Sequence, residues 1–174
     1  MTESIDRFPD VDEWKAASKW WIKYGRQRVV AMPNYTPPLW WECDIWAVTK
    51  AGYTEEIEVK RTHSDFKADA KKRDRYGQSK HGLLQLGMGP NRFSYLLVGE
   101  AARLLHDGVL VVPDWAGVLV LEGRGFWDEI NLRRPAPLLH KKKRRMPSLE
   151  DIYRRAYYRM WSRMVDRNWL AASP

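Results

Sequence analysis

The sequence predicts an α/β fold, a mixed central sheet flanked by helices with one further helix at the C-terminus. Three observations predict it. Residues 42–60 (ECDIWAVTKAGYTEEIEVK) read as a β-hairpin, two alternating runs joined by a glycine-containing turn. Residues 93–98 (FSYLLV) are almost continuously apolar, as a strand buried on both faces is. Helical patterns precede the hairpin and separate it from that strand, so the order is helix, strands, helix, strand. Residues 1–146 are expected to form one domain, with residues 147–174 as a basic helix packed on it.

The composition narrows the chemistry. The chain has 174 residues, 44% hydrophobic with ten tryptophans, which excludes a disordered protein. Thirty Lys and Arg against 22 Asp and Glu leave +8, the balance of a protein with a polyanionic partner. Cys43 is the single cysteine, so an internal disulfide and a multi-cysteine zinc site are excluded and a reducing cytoplasm is expected. His63, His81, His106 and His140 show no paired metal spacing, and no G-x-S-x-G or phosphate-loop pattern occurs. No apolar run reaches the length of a membrane span, no signal-peptide pattern opens the chain, and no internal repeat is present.

Taken in order, Asp10 is the expected N-cap of the first helix, with Glu13 completing a capping box. Val11, Trp14, Ala17, Trp21 and Ile22 share a face with Ser18 among them, and Gly25 ends the helix. Residues 28–32 are a short strand, and the prolines of residues 33–38 place that stretch in a loop. In the hairpin, Ile45 and Ala47 alternate with Asp44, Trp46 and Val48, and Ile57 and Val59 alternate with Glu56, Glu58 and Lys60. A three-residue loop, Lys50-Ala51-Gly52, with Gly52 left-handed, pairs Thr49 with Tyr53 and sets Asp44 opposite Glu58. A loop one residue longer sets Cys43 there instead and turns Asp44 to the other face. Glu42 shares Asp44's face under the first register, within reach of solvent or of a second ion.

Ser64 is expected to cap a helix over residues 65–76. It would carry Lys67, Lys71 and Arg75 on one stripe and Phe66, Asp69, Arg73 and Tyr76 on another, and Gly77 would stop it. Residues 78–87 are a loop with a short helical turn, 101–106 a short helix, and 109–112 and 117–121 two further strands. Residues 133–147 form a basic linker. Ser148 then caps the last helix, whose packing face is Leu149, Ile152, Tyr153, Ala156, Met160 and Met164. Arg155, Arg159, Arg163 and Arg167 recur every fourth residue on another line, spaced to track phosphates or to remain solvated. Tyr157, Tyr158, Trp161 and Trp169 offer a homodimer contact as the competing role of this helix.

The pattern D-x13-E-x-K formed by Asp44, Glu58 and Lys60 resembles the PD-(D/E)xK nuclease superfamily. On residue types alone it also suits a solvated face of alternating charges. The element order matches the αβββαβ core of restriction-endonuclease-like folds. The segment EVKRTHSDFKADAKKRDRY is similar to that of MmcB-type DNA repair proteins and related phage nuclease-like proteins, through Glu58, Lys60, Asp65, Phe66, Asp69 and Tyr76. VPDWAGVLVLEG and RRPAPLLHKKK extend the likeness, which covers residues 40–143. Two positions depart from the pattern: Cys43 stands where the superfamily's name has proline, and Lys72 stands four before Tyr76 in place of glutamine.

The resemblance implies a deoxyribonuclease dependent on Mg²⁺ or Mn²⁺. The ion would be held by Asp44, Glu58 and the carbonyl of Val59, with Lys60 polarising the attacking water. Glu13, Asp65, Asp69 and Tyr76 are additional candidates, Glu13 as an acid of the first helix that capping explains equally. DNA is the implied partner, without sequence preference or with a structural one, contacted by Lys67, Lys71, Lys72, Arg75, Arg155, Arg159, Arg163 and Arg167. The setting would be DNA repair or phage DNA processing in the cytoplasm of a bacterial or phage-infected cell. The alternative is a nuclease-like fold that binds DNA or a partner without cutting.

Overall fold

The structure, a computed structural model, describes residues 7–37, 40–74, 76–123, 128–143, 152–155 and 158. The chain divides into two compact units, Met1–Lys143 and Arg144–Pro174. The first is an α/β unit built on a six-stranded mixed sheet whose spatial order, β1 to β6, is the order of the chain. Helix α1 (Glu13–Lys23) leads into β1 (Val30–Tyr35), β2 (Cys43–Val48) and β3 (Thr54–Lys60), an antiparallel meander. Helices α2 (His63–Asp69) and α3 (Lys80–Gln85) then carry the chain to β4 (Arg92–Leu97), parallel to β3. Helix α4 (Gly99–His106) leads to β5 (Gly117–Glu122), parallel to β4, and β6 (Glu129–Arg134) closes the sheet antiparallel. Among the described residues no helix is long and apolar enough to cross a membrane.

The hairpin adopts the register that its turn chemistry dictates. Gly52 has φ of +81°, its N–H bonds to the Thr49 carbonyl at 2.9 Å, and Thr49 N–H bonds to the Tyr53 carbonyl at 2.9 Å. The loop is therefore three residues long. The ladder runs through Val48↔Thr54, Ala47↔Glu55, Trp46↔Glu56 and Ile45↔Ile57, so the next position sets Asp44 against Glu58. Ile45, Ala47, Ile57, Val59, Leu96, Val98, Leu119, Leu121 and Ile130 form the core on one face, under Ala16 and Trp20 of α1. The other face of β3 and β4 carries Glu56 beside Phe93, Glu58 beside Tyr95 and Lys60 beside Leu97.

Several local expectations are corrected. Asp12, not Asp10, caps α1, accepting from Lys15 N–H at 2.7 Å, while Asp10 pairs with Arg61. The buried stripe of α1 is Ala16 and Trp20, and Trp14, Trp21 and Ile22 are exposed. Trp21 lies over Gly25, where an added Cβ would sit 2.3 Å from its ring, so the indole covers its own helix end. Pro33 belongs to β1. It is tolerated because β1 is an edge strand, where a missing N–H costs no ladder bond.

Thr62, not Ser64, caps α2, and the helix stops at Asp69 instead of running to residue 76. Its continuation is diverted by two side chains. Lys72 turns inward to Glu58, and the Asp74 carboxylate accepts from Tyr76 and Gln78 N–H at 2.8 Å each, forming a turn with Gly77 at φ +77°. Lys67 and Lys71 thus do not continue one helical stripe. Residues 109–112 are irregular and not a strand, and β6 is a strand the sequence reading missed. In the second unit, residues 152–155 are helical with Arg155 exposed; Arg75, Arg159, Arg163 and Arg167 lie outside the described residues.

Candidate functional site

At the C-terminal end of β3, burial and charge conflict. Glu56, Glu58 and Lys60 alternate onto one face, as period two requires, and that face is covered by α2, α3 and the turn between them. All three are buried, together with Asp69 and Lys80. Buried charges persist only when paired.

Glu58 is the hub. Its Oε2 accepts from Lys60 Nζ at 2.9 Å and from Lys72 Nζ at 2.8 Å. Its Oε1 lies 2.8 Å from Lys80 Nζ as an ion pair, without hydrogen-bond alignment. Burial alone would raise the Glu58 pKa, but the Lys80, Lys60 and Lys72 ammoniums outweigh it and hold the group at about 2. Lys60 is the mirror case. Burial would lower its pKa, yet Glu58, Asp69 and Asp44 raise it above the ordinary lysine value, so it remains an ammonium and acts as a donor, not a base.

Asp44 stands at the edge of this cluster. Its Oδ2 accepts from Val59 N–H at 2.8 Å, where the β2–β3 ladder has run out. A side chain therefore takes the place of a backbone partner. The carboxyl is pushed up to about 7, first by burial and then by the charge of Glu58, with Lys60 and Lys72 only partly offsetting them. Among the described residues it forms no ion pair within 4 Å, in contrast to Glu56, Glu58 and Asp69.

Asp69 closes the network from α2. Its Oδ1 lies 3.5 Å from Lys60 Nζ, 3.4 Å from Lys72 Nζ and 3.2 Å from Lys80 Nζ. Its Oδ2 accepts from Tyr95 Oη at 2.8 Å and meets His81 Nε2 at 2.9 Å. Burial opposes its charge, but the His81 bond and the three ammoniums hold the carboxyl well below the usual range. Burial and Asp69 together raise Tyr95, which stays protonated and donating. Glu56 accepts from Trp41 Nε1 at 2.6 Å and pairs with Lys80 at 2.9 Å. It is nevertheless raised, by burial first and by Glu58. The Cys43 thiol is pushed up by burial and by Glu56, and so is an inert core group.

The sequence-derived residues thus divide. Asp44, Glu58, Lys60 and Asp69 are brought together. Asp65 lies at the margin, its Oδ1 3.8 Å from Lys60 Nζ and its Oδ2 accepting from Arg61 N–H at 3.2 Å. Glu13 is exposed in the first turn of α1 and joins none of the ion pairs around Glu58; Tyr76 is 65% exposed in the turn after α2, outside the cluster. Lys67, Lys71 and Glu42 are exposed, whereas Lys72, expected on the DNA-facing surface, is turned onto Glu58. Lys80, His81, Tyr95 and Trp41 were missed. Only Glu56, in step with Glu58 and Lys60, carried a signal in the sequence.

Among the described residues no three His, Cys, Asp or Glu side chains are arranged to hold a metal. Two of the expected donors, Asp44 and Glu58, nonetheless lie side by side next to the Val59 peptide. Asp44 is a carboxylate outside the ion-pair network, Glu58 is ionised, and the alternation of β3 turns the Val59 peptide toward Asp44.

No protein-family model and no curated protein matches the chain. Among solved structures, SPO1766, a protein of unknown function from Silicibacter pomeroyi, is similar in fold. It is 16% identical, with 90% of this chain and 91% of that one covered, at a TM-score of 0.53.

Proposed function

We propose that the chain is a metal-dependent deoxyribonuclease whose centre is Asp44, Glu58 and Lys60. The observation that carries this reading is their convergence at one end of β2 and β3, with Asp44 bonded to the Val59 peptide and Glu58 to Lys60. Asp44, Glu58 and the Val59 carbonyl would hold one Mg²⁺ or Mn²⁺, which when bound supplies charge neutralisation at a phosphoryl oxygen and a more acidic water.

The chain's own residues do the rest. Lys60, kept cationic by Glu58 and Asp69, donates to a water or to the developing negative charge. Lys72 bonds the same Glu58 oxygen at 2.8 Å and so helps Lys60 hold that carboxylate ionised. Asp69, bonded to Tyr95 and His81, fixes the cluster so that little reorganisation accompanies reaction.

One observation favours a second reading, a nuclease-like fold that binds DNA without cutting it. The Glu58 charge is already met by three ammoniums within 3 Å. Incubation with labelled duplex, flap, junction and single-stranded DNA, in Mg²⁺ or Mn²⁺ and in EDTA, separates the two. Hydrolysis abolished by EDTA is expected. Binding without hydrolysis of any form in either ion would establish the second reading.

A further inference from the structure

Lys80 is fully buried, and its ammonium meets three carboxylates: Glu56 at 2.9 Å, Glu58 at 2.8 Å and Asp69 at 3.2 Å. The rings of Trp41 and Phe93 close the remaining sides, 5.4 Å and 4.9 Å from Nζ. Glu58 Oε1 is a buried oxygen met by Nζ at 2.8 Å. With Lys80 in place these three carboxylates are arranged around an ammonium and not around a metal; without it they would leave three oxygen donors of the kind a hard divalent ion takes.

We propose that Lys80 fills a second cation position of this site with a permanent ammonium, leaving room for a single divalent ion, at Asp44 and Glu58. Their charged neighbours separate the positions. The charges acting most strongly on Asp44 are Glu58, Lys60 and Lys72, whereas those on Lys80 are Glu56, Glu58 and Asp69. Glu58 is therefore the shared wall, its Oε2 on Lys60 and Lys72 and its Oε1 on the fully buried Lys80. The cage distances are those of an ammonium, and oxygens at 2.8–3.2 Å close to roughly 2.3–2.6 Å around Ca²⁺ with shifts below about 1 Å. Naming the remaining ion catalytic rests on the nuclease reading; the occupancy of the cage does not.

The experiment counts bound ions in the full chain by equilibrium dialysis against Mn²⁺ and, separately, Ca²⁺. Wild type is compared with Lys80→Ala, Lys80→Gln and Lys80→Arg, with thermal melts alongside. Lys80→Ala should bind one more ion than wild type and gain more Tm from it. Lys80→Arg should bind no extra ion, and adding Glu56→Gln to Lys80→Ala should abolish the extra one. If Lys80→Ala folds only when the ion is present, that rescue is the expected result in another form. Lys80→Gln keeps most of the side-chain volume and gives the same count. The proposal is overturned by wild type binding two ions, by counts equal to wild type in whichever of Lys80→Ala and Lys80→Gln folds, by an extra ion in Lys80→Arg, or by Lys80→Ala and Lys80→Gln both failing to fold with either ion. Failure of the nuclease reading looks different: no hydrolysis by wild type, with the extra ion in Lys80→Ala unaffected.

Discussion

The Asp44 carboxyl titrates near neutrality because burial and the charge of Glu58 oppose its ionisation, while Glu58 is held ionised by its ammoniums. The two therefore act on stability in opposite senses. Asp44, raised from 3.8 to about 7, contributes stability that is full below its unfolded pKa and lost as pH rises through about 7. Glu58, lowered from 4.5 to about 2, contributes stability present above its unfolded pKa and lost as pH falls through about 2. Asn at position 44 can still accept from Val59 N–H. In EDTA at pH 8, Asp44→Asn should thus be more stable than wild type by roughly 1–3 kcal/mol, the gap closing toward pH 4. Thermal melts across that range check it, and a variant less stable than wild type at pH 8 would remove Asp44's unfavourable burial from the account. Glu58→Gln should instead destabilise by about 3–5 kcal/mol, since buried ammoniums lose a shared partner. Urea titration at pH 7 measures this, and a change below about 1 kcal/mol would mean the cluster rearranges around the loss.

At the scale of elements, β6 and the irregular stretch before β5 depend on one side chain. The Arg134 guanidinium donates to the carbonyls of Ala116 at 3.0 Å, Val112 at 3.1 Å and Pro113 at 2.6 Å. Arg134→Met leaves those carbonyls short of donors and should cost about 1–3 kcal/mol, read from the urea midpoint; an unchanged midpoint would show that water replaces the guanidinium. The hairpin was legible in the sequence because its register follows from local chemistry, a three-residue loop with Gly52 left-handed. The end of α2 was not, because it is set by Lys72 and Asp69 reaching partners on β3 and β4. Strand β6 escaped notice because only Ile130 and Leu132 of its six residues are apolar, too short an alternation to stand out from the charged residues around it. Lys80 was invisible for the same reason as Lys72. Its residue type is ordinary for a surface helix, and its partners belong to other elements.

Across the first unit, the exposed lysines of residues 141–143 lie apart from the charge that builds the site. Lys60, Lys72 and Lys80 are committed to carboxylates. The exposed Lys141, Lys142 and Lys143 are pinned by Asn91 Nδ2, which donates to the carbonyls of His140 and Lys142. Lys143 lies over Tyr53 at the start of β3, the end of the strand opposite Lys60, about 20 Å away at 3.3 Å per residue. With a net charge of +8, log K for DNA should fall linearly with log salt. Replacing Lys141, Lys142 and Lys143 by glutamine should flatten that slope and leave the rate at saturating DNA unchanged. An unaltered slope would place the phosphate contacts elsewhere.

The central claim, that Asp44, Glu58 and Lys60 form a hydrolytic centre, is tested most directly by single-turnover cleavage of labelled DNA in Mn²⁺ by wild type and Asp44→Asn, both shown folded by circular dichroism. The account predicts cleavage by wild type and a loss on the order of 100-fold or more in the variant, despite its higher Tm at pH 8. Cleavage by Asp44→Asn at the wild-type rate would contradict it.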